Sequence, residues 1–222
     1  MAGENSILSS VIGFGIKEVS DVAFYPVGSV DVDATGKVIK KTGYTGTDYA
    51  PLLILDTLKI SNIENTAEQA DAKGGKGNAP LIIWDYGREI TISLQDAVLS
   101  DRTLSMMFEN NAAGTGAGAG DASNVITISA NTFPGTYTIV GKTYARDIKT
   151  GKDHLFTWFV PKAKVNSEVT LTMEAEGDPT VFDMNLRVLR DSDGTMVKMV
   201  RDTTTTAADA YTVESAFPTP TT

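Results

Sequence analysis

The sequence predicts a mainly β fold with one short α-helix and long extended loops. In several short segments apolar and polar residues alternate, which places the apolar side chains on one face of a strand. Turn-forming Asn, Gly, Asp and Thr residues recur roughly every 10–20 residues between these segments. Only one segment has apolar residues at helical spacing. With 222 residues, 41% of them hydrophobic, the chain is long enough for a single domain with a sizeable core.

The clearest strands are residues 169–175 and 182–188, which alternate strictly and are separated by the turn sequence 176–179. We expect them to form an antiparallel pair. Residues 155–160 are apolar on nearly both faces and precede Pro161, which predicts a short central strand that stops there. Further strands are predicted at 52–55 with 58–60 (a strand pair or one long strand), 89–94, 125–128, 136–140 and 196–200.

One helix is predicted after Ser100, which can cap the segment 101–109 with its hydroxyl group. Asp101 suits the positive end of the helix dipole. Leu104, Met107 and Phe108 have the spacing of one helical face. The Gly-rich residues 110–124 then end the helix as a loop.

The predicted organisation is an N-terminal arm (1–20), a β-domain (21–202) and a weakly ordered C-terminal arm (203–222). Inside the domain we expect a long loop or hairpin at 26–51, a Lys/Gly loop at 62–80 and the loop at 110–124. Loops of this length are usually functional or disordered.

Composition removes several classes of site. The chain has no cysteine, which excludes thiol nucleophiles, disulfides and thiolate metal sites, and one histidine, which excludes metal sites with two imidazoles. The formal net charge of −9 disfavours binding to nucleic acid. No segment is long and apolar enough to cross a membrane, and the N-terminus is not typical of a secretory signal.

Four motifs have possible chemical uses, and the structural interpretation is favoured for each. Residues 114–120 lack the Lys-Ser/Thr of a phosphate-binding loop and indicate a flexible linker. Residues 31–36 begin like a calcium loop but have Thr42 at the twelfth position, which favours a hairpin tip. His154 lies beside Asp153 without a nucleophile elbow, so a turn-adjacent structural histidine is favoured over a catalytic triad. Trp84 and Tyr86 are typical of core aromatics more than of a sugar platform.

The sequence from Lys73 to Ala97, with 99–104 after it, resembles bacteriophage tail tube (major tail) proteins. In that family a Gly/Lys loop leads to a Tyr-Gly-Arg/Lys strand, a strand-end Asp-Ala and a short helix. Residues 22–26 and 182–186 fit the same pattern, and the resemblance covers about residues 20–200. It implies a β-sandwich or half-barrel flanked by a helix, with no active site, cofactor or metal.

The resemblance also implies a virion protein of the tail, assembled in the host cytoplasm. Six copies form a ring, rings stack into a tube, and DNA passes through an acidic lumen without sequence-specific binding. The implied partners are other copies of the chain and further tail proteins, namely the tape measure, the baseplate, the terminator and, in a contractile tail, the sheath. We expect Thr170, Thr172, Glu174, Asp183 and Asn185 to face the lumen, and Lys73, Lys76, Val38 and Ile39 to contact neighbouring subunits.

Three alternatives stay open at this point. Another virion β-domain, such as a tube terminator or a capsid decoration protein, fits the same fold. A carbohydrate-binding β-sandwich requires Trp84, Tyr86 and Trp158 to be exposed together. A hydrolase requires a catalytic role for His154.

Overall fold

The computed structural model describes residues 13–16, 21–47, 49–74, 78, 80–98, 100–108, 130–131, 133–166, 182–202 and 217. The fold is mainly β, as predicted. Its elements are β1 (Phe14–Ile16), β2 (Asp21–Pro26), β3 (Val30–Val32), β4 (Val38–Lys40), β5 (Leu53–Leu55), β6 (Leu58–Lys73), β7 (Pro80–Asp96), α1 (Asp101–Phe108), β8 (Thr136–Asp147), β9 (Asp153–Val165), β10 (Phe182–Val188) and β11 (Lys198–Arg201).

Nine of the described strands form one antiparallel sheet whose main path runs β5-β2-β8-β9-β10-β7-β6, with β1 added to β8 and β11 added to β9. The segments 52–55 and 58–60 are neither a strand pair nor one strand, because β5 and β6 lie at opposite ends of this path. Only Asp56 and Thr57 connect them, so their facing ends are at most about 11 Å apart. A flat sheet would separate the two strands by about 29 Å. The sheet therefore curls strongly enough to bring the linked ends of β5 and β6 close together, but it stays open because these two strands are not paired. This is the predicted half-barrel.

Two hydrophobic clusters fill the part of the molecule that the structure describes. The larger cluster takes one face of the curled sheet and the helix, and includes Phe24, Ile92, Trp158 and Met184. The smaller cluster lies on the opposite face of β2, β8 and β9, where the β3–β4 hairpin and Phe217 cover it. These central strands are therefore buried on both faces, as predicted for residues 155–160.

The prediction that Pro161 ends its strand was wrong, because β9 continues to Val165. The pairing shifts at this point, so that Pro161 and Lys162 together lie opposite Thr138. At such a bulge a proline without an N–H leaves no ladder bond unmade. The Thr138 hydroxyl donates a 2.8 Å hydrogen bond to the carbonyl of Pro161 and secures the bulge.

The predicted helix is confirmed. The Ser100 hydroxyl accepts a 3.1 Å hydrogen bond from the N–H of Thr103 and caps the helix. Its buried face is centred on Met106 and Met107, with Leu104 only half-buried.

The segment 26–51 contains the β3–β4 hairpin, whose tip is the motif 31–36. The Asp33 carboxylate accepts hydrogen bonds from the N–H and hydroxyl of Thr35 and from the N–H of Lys37. Although burial raises the pKa of Asp33, these bonds hold that pKa below its ordinary value. The carboxylate thus shapes a turn, as the sequence indicated. The side-chain ammonium of Lys198 and the hydroxyl of Thr157 bond to backbone carbonyls of the hairpin and hold it on the sheet.

The prediction of a loop at 62–80 was wrong, because β6 extends through Lys73 and β7 begins at Pro80. The segment is instead a long two-stranded hairpin. The predicted strands 125–128 and 169–175 and the Gly-rich loop 110–124 lie outside the described residues.

Candidate assembly surface

The long hairpin of β6 and β7 projects from the body of the sheet. Strand β10 pairs with β7 only over residues 91–96, whereas β6 pairs with it from Pro80 to Asp96. Among the described strands, the outer residues 80–90 of β7 therefore have only β6 as a neighbour. An isolated two-stranded hairpin has marginal stability in water. Among the described residues, this part of the hairpin therefore has no third strand to support it.

A bulge at Gly87 decides which side chains share a face. Thr66 lies opposite Glu89, but Glu68 lies opposite Tyr86, so β7 carries one extra residue between these pairs. Gly87 has a φ of 60°, the left-handed conformation of such a bulge. The extra residue reverses the alternation of β7. Tyr86 consequently shares a face with Glu89 and Thr91 and not with Ile90 and the core.

The outer hairpin thus presents an apolar face made of Ile82, Trp84 and Tyr86, with Ala70 and Ala72 opposite the first two. The side chains of Trp84 and Tyr86 are 53% and 52% exposed. The interpretation of these two rings as core aromatics was therefore wrong. Contiguous exposed apolar patches mark interaction sites.

On the inner part of the hairpin the same face is polar and continues onto β10. The amide of Gln95 donates a 2.9 Å hydrogen bond to Asp183, and the hydroxyl of Ser93 donates a 2.8 Å bond to Asn185. These residues are direct cross-strand partners. The two described lumen candidates, Asp183 and Asn185, are therefore brought together on an exposed polar surface.

A row of charged residues crosses this face. Glu64 lies opposite Thr91, Thr91 opposite Arg187, and Arg187 opposite Lys164 on β9. The Arg187 guanidinium also forms a 3.0 Å ion pair with Glu89. The face is thus acidic toward the β6 edge and basic toward β9.

The other site candidates have varied positions. Lys73 lies at the end of β6, where its Nζ is 3.8 Å from Oδ2 of Asp71. Ile39 is exposed on the β3–β4 hairpin. Val38 is 2% exposed and packs inside its own chain, so Ile39 is the member of that pair whose side chain is available to a neighbour. The candidates Thr170, Thr172, Glu174 and Lys76 lie outside the described residues.

The alternative sites are not assembled in the described residues. Trp158 is 3% exposed within the main cluster, so the three rings of a sugar platform are not exposed together. His154 lies within β9 opposite Ala145. In the part of the chain that the structure describes, no three His, Asp or Glu side chains converge to hold a metal ion. None of the described helical residues forms a span long and apolar enough to cross a membrane.

A family model described as the YomU/Tube protein family matches residues 32–115 and 119–201. The chain belongs to this family. The match covers the long hairpin, the helix and strands β8 to β11, and it confirms the resemblance to tail tube proteins. The protein is therefore a structural component of a phage-like tail tube.

The YomU/Tube fold is also similar to a chain of a solved assembly. That structure is a cryo-electron microscopy sheath–tube complex, in the extended state, of PVC, an extracellular contractile injection system. The similarity covers 90% of this chain and 99% of that chain, with 14% sequence identity and a TM-score of 0.43. This likeness is too distant to support an argument. No curated protein matches the sequence significantly.

Sequence reasoning missed two parts of this YomU/Tube surface. One is the outward turn of Trp84 and Tyr86, and its signal was available: a glycine inside a strand, here Gly87, often marks a bulge. The other is the meeting of Arg187 with Lys164. Those residues are far apart in the sequence, and only the strand order brings them together.

Proposed function

We propose that this YomU/Tube protein polymerises into the tube of a bacteriophage tail, as hexameric rings stacked along one axis, and that DNA passes through the tube. The observation that supports this proposal best is the exposed apolar hairpin on a chain of a tube family. The role is structural and does not involve catalysis.

The hairpin offers the contacts that such assembly requires. Strand β6 is the last strand of the sheet path, so its outer edge is unpaired among the described strands. An exposed strand edge is a template for pairing with another chain. The apolar face of Ile82, Trp84 and Tyr86 lies beside that edge. Joining the hairpins of neighbouring copies satisfies the edge and brings the apolar faces of adjacent hairpins side by side.

The polar face of β7 and β10 is the surface proposed to line the lumen. Asp183 and Asn185 lie on it, and Thr170, Thr172 and Glu174 are proposed to extend it. The net charge of −9 repels DNA phosphates, and each ring multiplies that charge. DNA then slides without being held. A wall of this kind needs no pocket and no cofactor.

The remaining proposals concern location and partners. The protein belongs in the tail of a virion that is assembled in the host cytoplasm. The ends of the tube contact a baseplate and a terminator, the lumen contains a tape measure protein before ejection, and the outer wall contacts a sheath if the tail is contractile. Lys73, Lys76 and Ile39 contact neighbouring subunits.

Assembly is tested by electron microscopy and sedimentation of the purified chain over a range of concentrations and salt. We expect rings and tubes for the wild type and a loss of tubes for Trp84→Ser/Tyr86→Ser. The matched control is Phe133→Ser, which removes an aromatic ring that is 59% exposed elsewhere on the surface. Melting curves establish that all variants fold. Wild-type chain that stays monomeric under every condition contradicts the proposal.

The lumen assignment is tested by cysteine labelling, since the chain contains no cysteine of its own. We expect Asp183→Cys in assembled tubes to react with a small maleimide but not with a maleimide coupled to a large protein. Unassembled subunits should react with both reagents. If the large reagent labels tubes as well as the small one does, Asp183 lies on the outer wall. That result contradicts the lumen assignment but not the proposal that the chain forms a tube.

A further inference from the structure

A cavity of about 750 Å³ lies where β10 ends and the long hairpin departs from the body of the sheet. Its lining includes four cationic side chains, Arg88, Lys164, Arg187 and Arg190, and one carboxylate, Glu89. This is a local excess of positive charge in a chain whose net charge is −9. We call this surface the basic groove.

The positive charge of the basic groove is not neutralised within the described part of the chain. Glu89 forms its 3.0 Å ion pair with Arg187 and can offset only one cation. Lys164 lies directly opposite Arg187 on the neighbouring strand. Like charges in directly opposite positions destabilise a sheet. The subunit therefore keeps an unfavourable arrangement that an incoming carboxylate would relieve.

The groove also borders an unpaired strand edge. Arg88 and Glu89 belong to the outer part of β7, which β10 does not reach. A strand that enters the groove can therefore extend the backbone ladder along β7 while its side chains meet the cations. Both features indicate an acidic extended segment as the occupant.

The chain itself contains such a segment in β6. The middle of this edge strand carries Glu64 and Glu68, which share the even-numbered face, followed by Asp71, while its lysines lie near the two ends of the strand. We propose that the basic groove of one copy receives the acidic β6 edge of a second copy. This inference rests on the proposed function and specifies which surfaces meet.

The interface is head-to-tail, because the groove and the acidic edge are different surfaces of one molecule. Contacts of this type generate rings or filaments, and every copy contributes both halves. Duplex DNA is disfavoured as the occupant, because the rest of the chain is acidic and repels phosphates at longer range.

The test is a charge swap. Lys164→Glu/Arg190→Glu reverses two groove cations that form no ion pair among the described residues, and it leaves the Arg187–Glu89 pair intact. Glu64→Lys/Glu68→Lys reverses the edge. We expect each double variant to reduce the assembled fraction about tenfold or more, since like charges across an interface cost several kcal/mol. The quadruple variant carries both swaps in every copy and should recover assembly to within about threefold of the wild type.

The matched control for the groove variant is Lys149→Glu/Lys152→Glu, which makes the same change in net charge in the exposed β8–β9 turn. It should assemble like the wild type. If the wild type forms tubes but the quadruple variant does not recover assembly, the groove proposal alone is overturned. The same conclusion follows if the wild-type protein shifts duplex DNA in a gel and the Lys164→Glu/Arg190→Glu variant does not. Wild-type chain that forms no tubes overturns the proposed function as well.

Discussion

Gly141 on β8 lies directly opposite Trp158 on β9, and the indole ring occupies the space that a side chain at position 141 would need. A Cβ built on Gly141 overlaps three ring atoms of Trp158. Trp158 is itself buried in the larger hydrophobic cluster. Strands β8 and β9 cannot move apart to make room without breaking the hydrogen bonds of their ladder. This glycine is therefore required by packing and not by its backbone conformation.

We expect Gly141→Ala to lower the free energy of unfolding by about 1–3 kcal/mol, because the ring must move in a full core. Urea unfolding followed by tryptophan fluorescence measures the change. Gly15→Ala is the control, since an added Cβ there meets nothing within 4 Å. An equal effect of the two substitutions contradicts the packing argument.

Gly87 is required by its backbone. Its φ of 60° costs an L-residue other than Asn roughly 1 kcal/mol or more. We expect Gly87→Val to lose the bulge and to speed amide hydrogen exchange over residues 80–90, with little change at β8 and β9. Gly87→Asn should retain slow exchange. Unchanged exchange in Gly87→Val would mean that the bulge does not determine the hairpin register.

Phe217 closes the smaller hydrophobic cluster, where it is 2% exposed. Phe217→Ala should reduce the free energy of unfolding by about 3–5 kcal/mol through lost burial and the cavity left behind. Phe133→Ala removes the same ring from a site that is 59% exposed and should change stability by less than about 0.5 kcal/mol. Chemical denaturation of both variants gives the comparison. Similar small losses for the two variants would show that the Phe217 ring is not needed for stability.

Lys142 gives the fold a specific pH dependence. Burial is the main reason that the pKa of Lys142 falls from 10.5 to about 8. The charge of Lys37 lowers this pKa further, whereas attraction to Asp33 raises it and offsets part of the shift. Between pH 8 and 10.5 the unfolded chain therefore binds more protons than the folded chain, and this lysine makes stability rise with pH across that window.

We expect Lys142→Met to be more stable than the wild type at pH 7, by on the order of 3 kcal/mol. The difference should shrink as the pH rises from 8 and become constant above 10.5, where the lysine is neutral in both states. Unfolding curves at several pH values measure it, because other titrating groups are common to both proteins and cancel. For the exposed Lys149→Met, the difference from the wild type in free energy of unfolding should be the same at every pH. A constant difference for Lys142→Met as well contradicts the buried-charge explanation.

Much of the fold could be predicted from local patterns. The alternation in 182–188 and the cap at Ser100 depend on neighbours in sequence, and both are confirmed. The wrong predictions lie where one extra residue interrupts the alternation of a strand. Gly87 reverses the face of Trp84, and the bulge at Pro161 lets a strand continue past a proline. Single-residue insertions of this kind are set by the pairing partner, which a strand's own pattern does not contain.

The candidate surface was less predictable for a related reason. Asp183 and Asn185 were found because they alternate with buried residues on one strand. The basic groove joins Arg88, Lys164 and Arg190 from three separate parts of the chain. Their meeting depends on the order of strands in the sheet, and composition shows only a net negative charge.

The two-residue link of Asp56 and Thr57 has a consequence for how the protein folds. The strands that it joins can take their final places only after β2 has paired with β8, more than a hundred residues further along the chain. Pairing at such long sequence separation is slow, whereas the β6–β7 hairpin needs only a local turn. The β6–β7 hairpin is therefore synthesised before β8, β9 and β10, whereas the basic groove is complete only once β9 and β10 lie beside β7. The two surfaces that the proposed interface joins thus become available at different stages of folding, the acidic β6 edge first and the basic groove last.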